Sequence, residues 1–334
     1  MSSASKSAIV CGLVHGFRGG DTTFKDFPNR LKTIAIHDHI EVKVFPKYKT
    51  AGDFQLAVSN LLAWLQEQAE IQHKAGYDHV QFVLLGHSMG GLVSAEAILQ
   101  WKRQPSVLDG DIIGLLAYDT PFYSVNHRFV TSQAVNHAET LNRHMSRIWT
   151  ATSTATTSTA ATSRSGTSVT RATIEYPSAT TTATKKSSSS WGLLAGVVGV
   201  AAAGAAAYMA REKITESMTD VFAHLEFVST LMDLNGCWER MRRLTELPDV
   251  MFKCFYVQLS NDDSLASDPR TFIALPPPET AHHFLPIPSK MEGEIDAHTS
   301  IFDPSKNDHY YNLGLDSISL ISEMVARHHR QHDK

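Results

Sequence analysis

The chain has 334 residues, 43% of them hydrophobic, which is enough to bury the core of one large domain. A formal net charge of -4 and a pI near 6.5 leave no basic excess, which speaks against nucleic acid as a partner. The three cysteines, Cys11, Cys237 and Cys254, form no C-x-x-C pair and no metal-ligand spacing, so neither a disulfide framework nor a bound metal is expected.

The first third alternates strand and helix. Ala8–Val14 is apolar throughout and predicts a short buried strand ending at His15-Gly16, with Cys11 inside it. Ile40–Phe45 predicts a second strand, closed by Pro46. Phe54–Ile71 predicts a helix, because Leu56, Val58, Leu61, Leu62, Leu65 and Ala69 recur at helical spacing. A strand over His79–Leu85, a helix over Gly90–Trp101 and a strand over Asp111–Tyr118 follow. Such alternation implies a parallel sheet with right-handed crossovers.

The pattern then breaks. Residues 150–190 are dominated by Ser, Thr and Ala and cannot bury enough surface to offset their ordering entropy, so a disordered insert is expected. Trp191–Ala210 is a charge-free run rich in Gly and Ala, expected to be an apolar helix. Thr215 to about Leu247 predicts a further helix, Met251–Leu259 a fifth strand, Arg270–Leu275 a short extra strand and His283–Ile287 the last strand. An amphipathic helix from Leu315 to His328 ends the pattern. Neither sheet part is complete alone. One domain over 1–334 is therefore expected, its core about 7–145 and 215–334, interrupted by an insertion of roughly 100 residues.

The most informative stretch is Gly86-His87-Ser88-Met89-Gly90-Gly91. A bare G-x-S-x-G arises by chance in roughly one chain in ten of this length; the strand before it and the helix after it make chance a poor explanation. The chemistry needs this shape, because a sharp, strained turn lifts the serine hydroxyl out of the sheet. The helix that follows aims unpaired N–H groups and a partial positive charge at the reacting oxygen. Ser88 is thus the candidate nucleophile. Two backbone N–H groups should hold the developing oxyanion: that of Met89, after the nucleophile, and that of Phe17, in the loop after the first strand. Gly16 keeps the backbone accessible there, and His15 is read as structural.

Together with Asp119-Thr120-Pro121-Phe122 and Ala297-His298, these motifs resemble the α/β-hydrolase superfamily, and more closely the lipase-like serine esterases found in fungi. The resemblance implies an α/β-hydrolase fold, a mostly parallel central sheet flanked by helices, a Ser-His-acid triad and ester hydrolysis without a metal or organic cofactor. It implies a histidine after the last strand. Of 17 histidines, His282, His283, His298 and His309 are candidates. His282 and His283 open the last strand at its wrong end, and His309 stands in a polar turn. His298, after the acidic loop Glu292–Asp296 and before apolar Ile301-Phe302, is the choice. For the acid, Asp119 ends the fourth strand; Asp262 and Asp263 follow the fifth, where such hydrolases more often carry it. Many related lipases have glycine where Asp119 stands, and that departure favours Asp119.

As a helix, Trp191–Ala210 would span about 30 Å, enough to cross a bilayer. One crossing would put Ser88 and His298 on opposite sides of the membrane, so a single span is incompatible with the triad. An interfacial element at a membrane surface, or packing against protein, remains. The run Ala8–Val14 is too short for a secretory leader, so an intracellular, cytoplasmic or peripherally membrane-associated protein is expected. Two functions follow: a serine hydrolase acting on small-molecule or lipid-like apolar esters, or a catalytically silent membrane or partner-binding scaffold on the same fold.

Overall fold

The computed structural model describes residues 6–17, 19–35, 39–48, 53–126, 233–260 and 269–332. The chain divides into one compact unit of Met1–Phe129 with Ile214–Lys334 and another of Val130–Lys213. The second unit lies outside the described residues, as do the expected insert 150–190 and apolar helix 191–210. Among the described residues no helix is long and apolar enough to cross a membrane.

Among its described residues, the first unit is built on a seven-stranded sheet. Its strands are β1 (Ser7–Val14), β2 (Ile40–Val44), β3 (His79–His87), β4 (Asp111–Tyr118), β5 (Met251–Leu259), β6 (Arg270–Thr271) and β7 (Phe284–Ser289). The order is β2-β1-β3-β4-β5, with β7 parallel and β6 antiparallel to β5. Because β7 and β6 both pair with Gln258 and Leu259, they lie on opposite sides of β5. β6 therefore stands on the β4 side, beyond the end of β4. The helices are α1 (Phe27–Ile34), α2 (Phe54–Lys74), α3 (Met89–Arg103), α4 (Leu234–Thr245), α5 (Glu294–Thr299) and α6 (Tyr310–His332).

Both faces of the sheet are covered, which is why its central strands read as continuous apolar runs. The two-residue period sorts their side chains. Val10, Val14, Phe82, Leu84, Leu115 and Ala117 pack with α2, α3 and α4. Cys11, Leu13, Val83, Leu85, Leu116 and Tyr118 pack with α1, α5 and α6. On that second face Phe24, Phe27, Tyr118 and Phe302 meet edge to face or tilted at 4.9–5.8 Å between centroids, all fully buried. Each such ring is worth roughly 1.5–3 kcal/mol of burial.

Expected and observed elements agree for β4 and β5 and differ elsewhere at the ends. α2 runs on to Lys74, but Leu56 faces solvent at 57% exposure, so it is not part of the buried stripe. The helix expected from Thr215 is seen as Leu234–Thr245, opened by Asp233, whose carboxylate accepts the Gly236 N–H at 3.0 Å; positions 215–232 lie outside the described residues. The extra strand is only two residues long before the chain turns to bridge Ile273 with Val125. Two helices were not anticipated. α1 is short and opens with Pro28 in its first turn, burying only Phe27 and Leu31. α5 replaces the expected acidic loop.

Candidate active site

The glycines of the elbow are set by close approach. A Cβ on Gly86 would stand 2.6 Å from the Gly91 nitrogen, and one on Gly90 would stand 2.6 Å from the His15 carbonyl oxygen, inside backbone that cannot yield. A Cβ on Gly91 would strike Thr120 at 2.7–2.8 Å. Only bare backbone lets α3 pack this tightly across the ends of β1, β3 and β4. Ser88 turns the corner with φ 55 and ψ −129, a region that costs a non-glycine residue about 1–3 kcal/mol. That strain carries the chain from β3 into α3 within one residue. α3 begins at Met89, so its first amides have no intrahelical carbonyl to bind.

The loop after β1 lies directly on the serine. A Cβ on Gly16 would come within 2.6 Å of Ser88 Cβ and 3.1 Å of its Oγ. Phe17, the next residue, packs against the core that holds α2 and α3. His15 is fully buried, as a structural residue should be: its Nδ1–H donates to the Gly16 carbonyl at 3.0 Å and its ring stacks on Tyr48. Burial lowers its pKa.

Ser88, His298 and Asp119 are brought together. His298 Nε2 lies 3.0 Å from Ser88 Oγ, and His298 Nδ1 lies 2.7 Å from Asp119 Oδ2. Carboxylate oxygens only accept, so Nδ1 carries the proton and Nε2 is left to accept from the serine hydroxyl. Asp119 is completely buried just past β4, with φ 48. Its N–H donates to the Phe255 carbonyl at 2.6 Å, and its Oδ1 accepts the Val257 N–H at 3.0 Å. β5 thus orients the carboxylate, leaving Oδ2 for the imidazole. Asp262 and Asp263 lie outside the described residues.

His298 stands near the end of α5, on a helix of 6 residues rather than on the loop expected from sequence. The other candidate histidines are elsewhere. His283 donates to the Phe252 carbonyl at 3.0 Å before β7, beside exposed His282. His309 stands in the turn before α6, its N–H bound to Asn307. Sequence patterns missed the two rings flanking His298. His87 stacks on one face at 4.7 Å between centroids, and Phe272 on the other at 3.9 Å. His87 lay inside the elbow motif, but no spacing rule links it to a residue 211 positions away. A cavity of about 250 Å³ lined by His73, Asp78, Trp101 and Asp111 lies at the opposite ends of the strands, away from these groups.

Residues 4–158, which carry Ser88, the loop after β1 and Asp119, match the family described as Putative serine esterase (DUF676). No curated protein matches the chain. Among solved structures, the chain is similar to the phospholipase PlaB from Legionella pneumophila, at 13% identity and a TM-score of 0.28, over 35% of this chain and 26% of that one. It is also similar to lipase B of Aspergillus fumigatus, at 19% identity and a TM-score of 0.27, over 35% of this chain and 25% of that one. The likeness thus spans about a quarter of the length of either enzyme. The thioesterase RedJ from the prodiginine pathway of Streptomyces coelicolor is 16% identical with a TM-score of 0.33, over 93% of this chain and 86% of that one. Over residues 4–158, somewhat less than half of its length, the chain is similar to a family of serine esterases.

Proposed function

We propose that the protein cleaves carboxylic esters with apolar acyl groups through a triad of Ser88, His298 and Asp119. The observation that carries this is one imidazole within hydrogen-bonding reach of both a strained-turn serine, at 3.0 Å, and a buried carboxylate, at 2.7 Å. Ser88 Oγ attacks the ester carbonyl as His298 Nε2 takes its proton. The carbonyl oxygen gains charge and is held by the amides of Met89 and Phe17. His298 then returns the proton to the leaving alkoxide, and the acyl group remains on Ser88. Water, deprotonated by the same imidazole, releases the acid and restores the serine. Asp119 keeps the proton on Nδ1 and stabilises the imidazolium in both half-reactions.

The apolar preference rests on sequence: the run 191–210, outside the described residues, is of a composition that suits contact with a lipid surface. The test is fluorophosphonate labelling and turnover of a nitrophenyl ester series of increasing acyl length, with and without detergent micelles. Label should attach to the natural chain and not to Ser88→Ala, and turnover should rise with acyl length and with micelles. Equal labelling of both proteins refutes the nucleophile. Flat turnover across the series refutes the apolar substrate, and unchanged flotation with lipid vesicles after deletion of 150–210 refutes the surface contact.

A further inference from the structure

His298 is held by more than its two ring nitrogens. Its ring lies between His87 and Phe272, nearly parallel to both, with interplanar angles of 28° and 26°. His87 Nε2–H also donates to the His298 carbonyl at 3.1 Å, so one residue grips both the ring and the backbone of the other. Each flank is anchored separately. His87 is the last residue of β3, buried, with its far edge against Phe302. Phe272 follows β6, which pairs with β5, and Arg270 reaches from β6 to Glu294 Oε1 at 3.0 Å and to the Glu292 carbonyl at 2.7 Å on the approach to α5. The short helix that carries His298 is thus tied to the strand that Phe272 directly follows.

We propose that His87 and Phe272 are positioning residues that clamp the His298 imidazole in the plane where it meets Asp119 and Ser88 at once, and that His87 does this as an uncharged ring. The proposal rests on Ser88 acting as nucleophile and His298 as base. A ring held only by two in-plane hydrogen bonds can still tilt about the line joining its partners, and contacts on both faces stop that tilt. Donation from Nε2 to a carbonyl places the His87 proton and leaves Nδ1 bare. Among the described residues, the titratable groups facing His87 are His298 on α5 and His15 after β1, with Asp119 beyond His298. Burial, reinforced by these two imidazoles, holds the His87 pKa well below the ordinary value. When His298 takes the serine proton, a neutral ring stacked on it leaves the new charge unopposed, whereas a second imidazolium would repel it.

The test uses His87→Phe, which keeps a ring and loses the donor, and His87→Gln, which keeps a donor and loses the ring. Phe272→Leu and Phe272→Tyr remove and retain the second face. Misplacing a reacting group slightly is enough to slow turnover substantially. His87→Phe, His87→Gln and Phe272→Leu should each lose about tenfold or more in kcat with KM within about twofold, and Phe272→Tyr should recover most of it. The acid limb of the natural protein's kcat/KM profile should have unit slope, because His87 contributes no second ionisation. The clamp is refuted if folded His87→Phe, His87→Gln and Phe272→Leu all match the natural chain. It is equally refuted by an acid limb of slope two that becomes one in His87→Phe, or by losses that track only the unfolded fraction. Ser88→Ala separates the cases: residual turnover there overturns the triad itself, while an inactive Ser88→Ala beside fully active clamp variants overturns only the clamp.

Discussion

In the proposed triad, the carboxylate of Asp119 is set at single atoms. One oxygen is occupied by the Val257 N–H at 3.0 Å and the other faces His298 Nδ1 at 2.7 Å. An amide in its place would preserve shape while presenting an N–H or a neutral oxygen to the imidazole, and so favour the wrong tautomer. Asp119→Asn should therefore lower kcat by roughly 10⁴-fold with KM little changed, the magnitude seen when a triad acid is made neutral. Retention of more than a tenth of natural kcat would return the acid's role to Asp262 or Asp263.

At the scale of elements, the strand-turn-helix around Ser88 is a steric device. Gly90 stands where β1 ends, and any side chain there meets the Val14 and His15 carbonyls. Gly90→Ala should destabilise the protein by about 3 kcal/mol, since backbone and not a pliable side chain has to move. Gly20, in the same region, is open: an added Cβ would meet only the Lys47 side chain, at 3.6 Å or more. Gly20→Ala should stay within about 0.5 kcal/mol of the natural chain. Urea unfolding of both variants checks the contrast, and equal costs would mean that the close packing of α3 on β1 is not what demands glycine.

For the molecule as a whole, buried histidines link stability to pH. Burial holds His15, His87, His283 and His328 below the ordinary value of 6.5. Below pH 6.5 the unfolded chain protonates these rings while the folded chain does not, so the unfolded state binds more protons and stability falls as pH drops. Above that value the rings are neutral in both states and nothing is lost. Asp303 adds a second loss: its hydrogen bonds to Lys25 and Ser305 hold it down to about 2, so its contribution fades as pH falls from 3.8. The urea midpoint should be lower at pH 5 than at pH 7.5, and an equal or higher midpoint would show that these rings are not held neutral.

What sequence alone settled is what repeats locally. Strand and helix periods, the glycines of Gly86–Gly91 and the apolar runs of β1, β3, β4 and β5 are properties of neighbours along the chain, and short-range sterics and burial make them readable. Ser88 belongs to that class. The selection of His298 from 17 histidines, and of Asp119 over later acids, had to lean on family resemblance. Tertiary structure brought these two side chains to Ser88, because contacts across 179 and 210 positions leave no periodic trace. The same holds for the stacking of His87 and Phe272 on the imidazole and for the two-residue β6 that sets one of those rings in place. Such features arise only when separate strands share one end of a twisted sheet, where distance in space no longer follows distance in sequence.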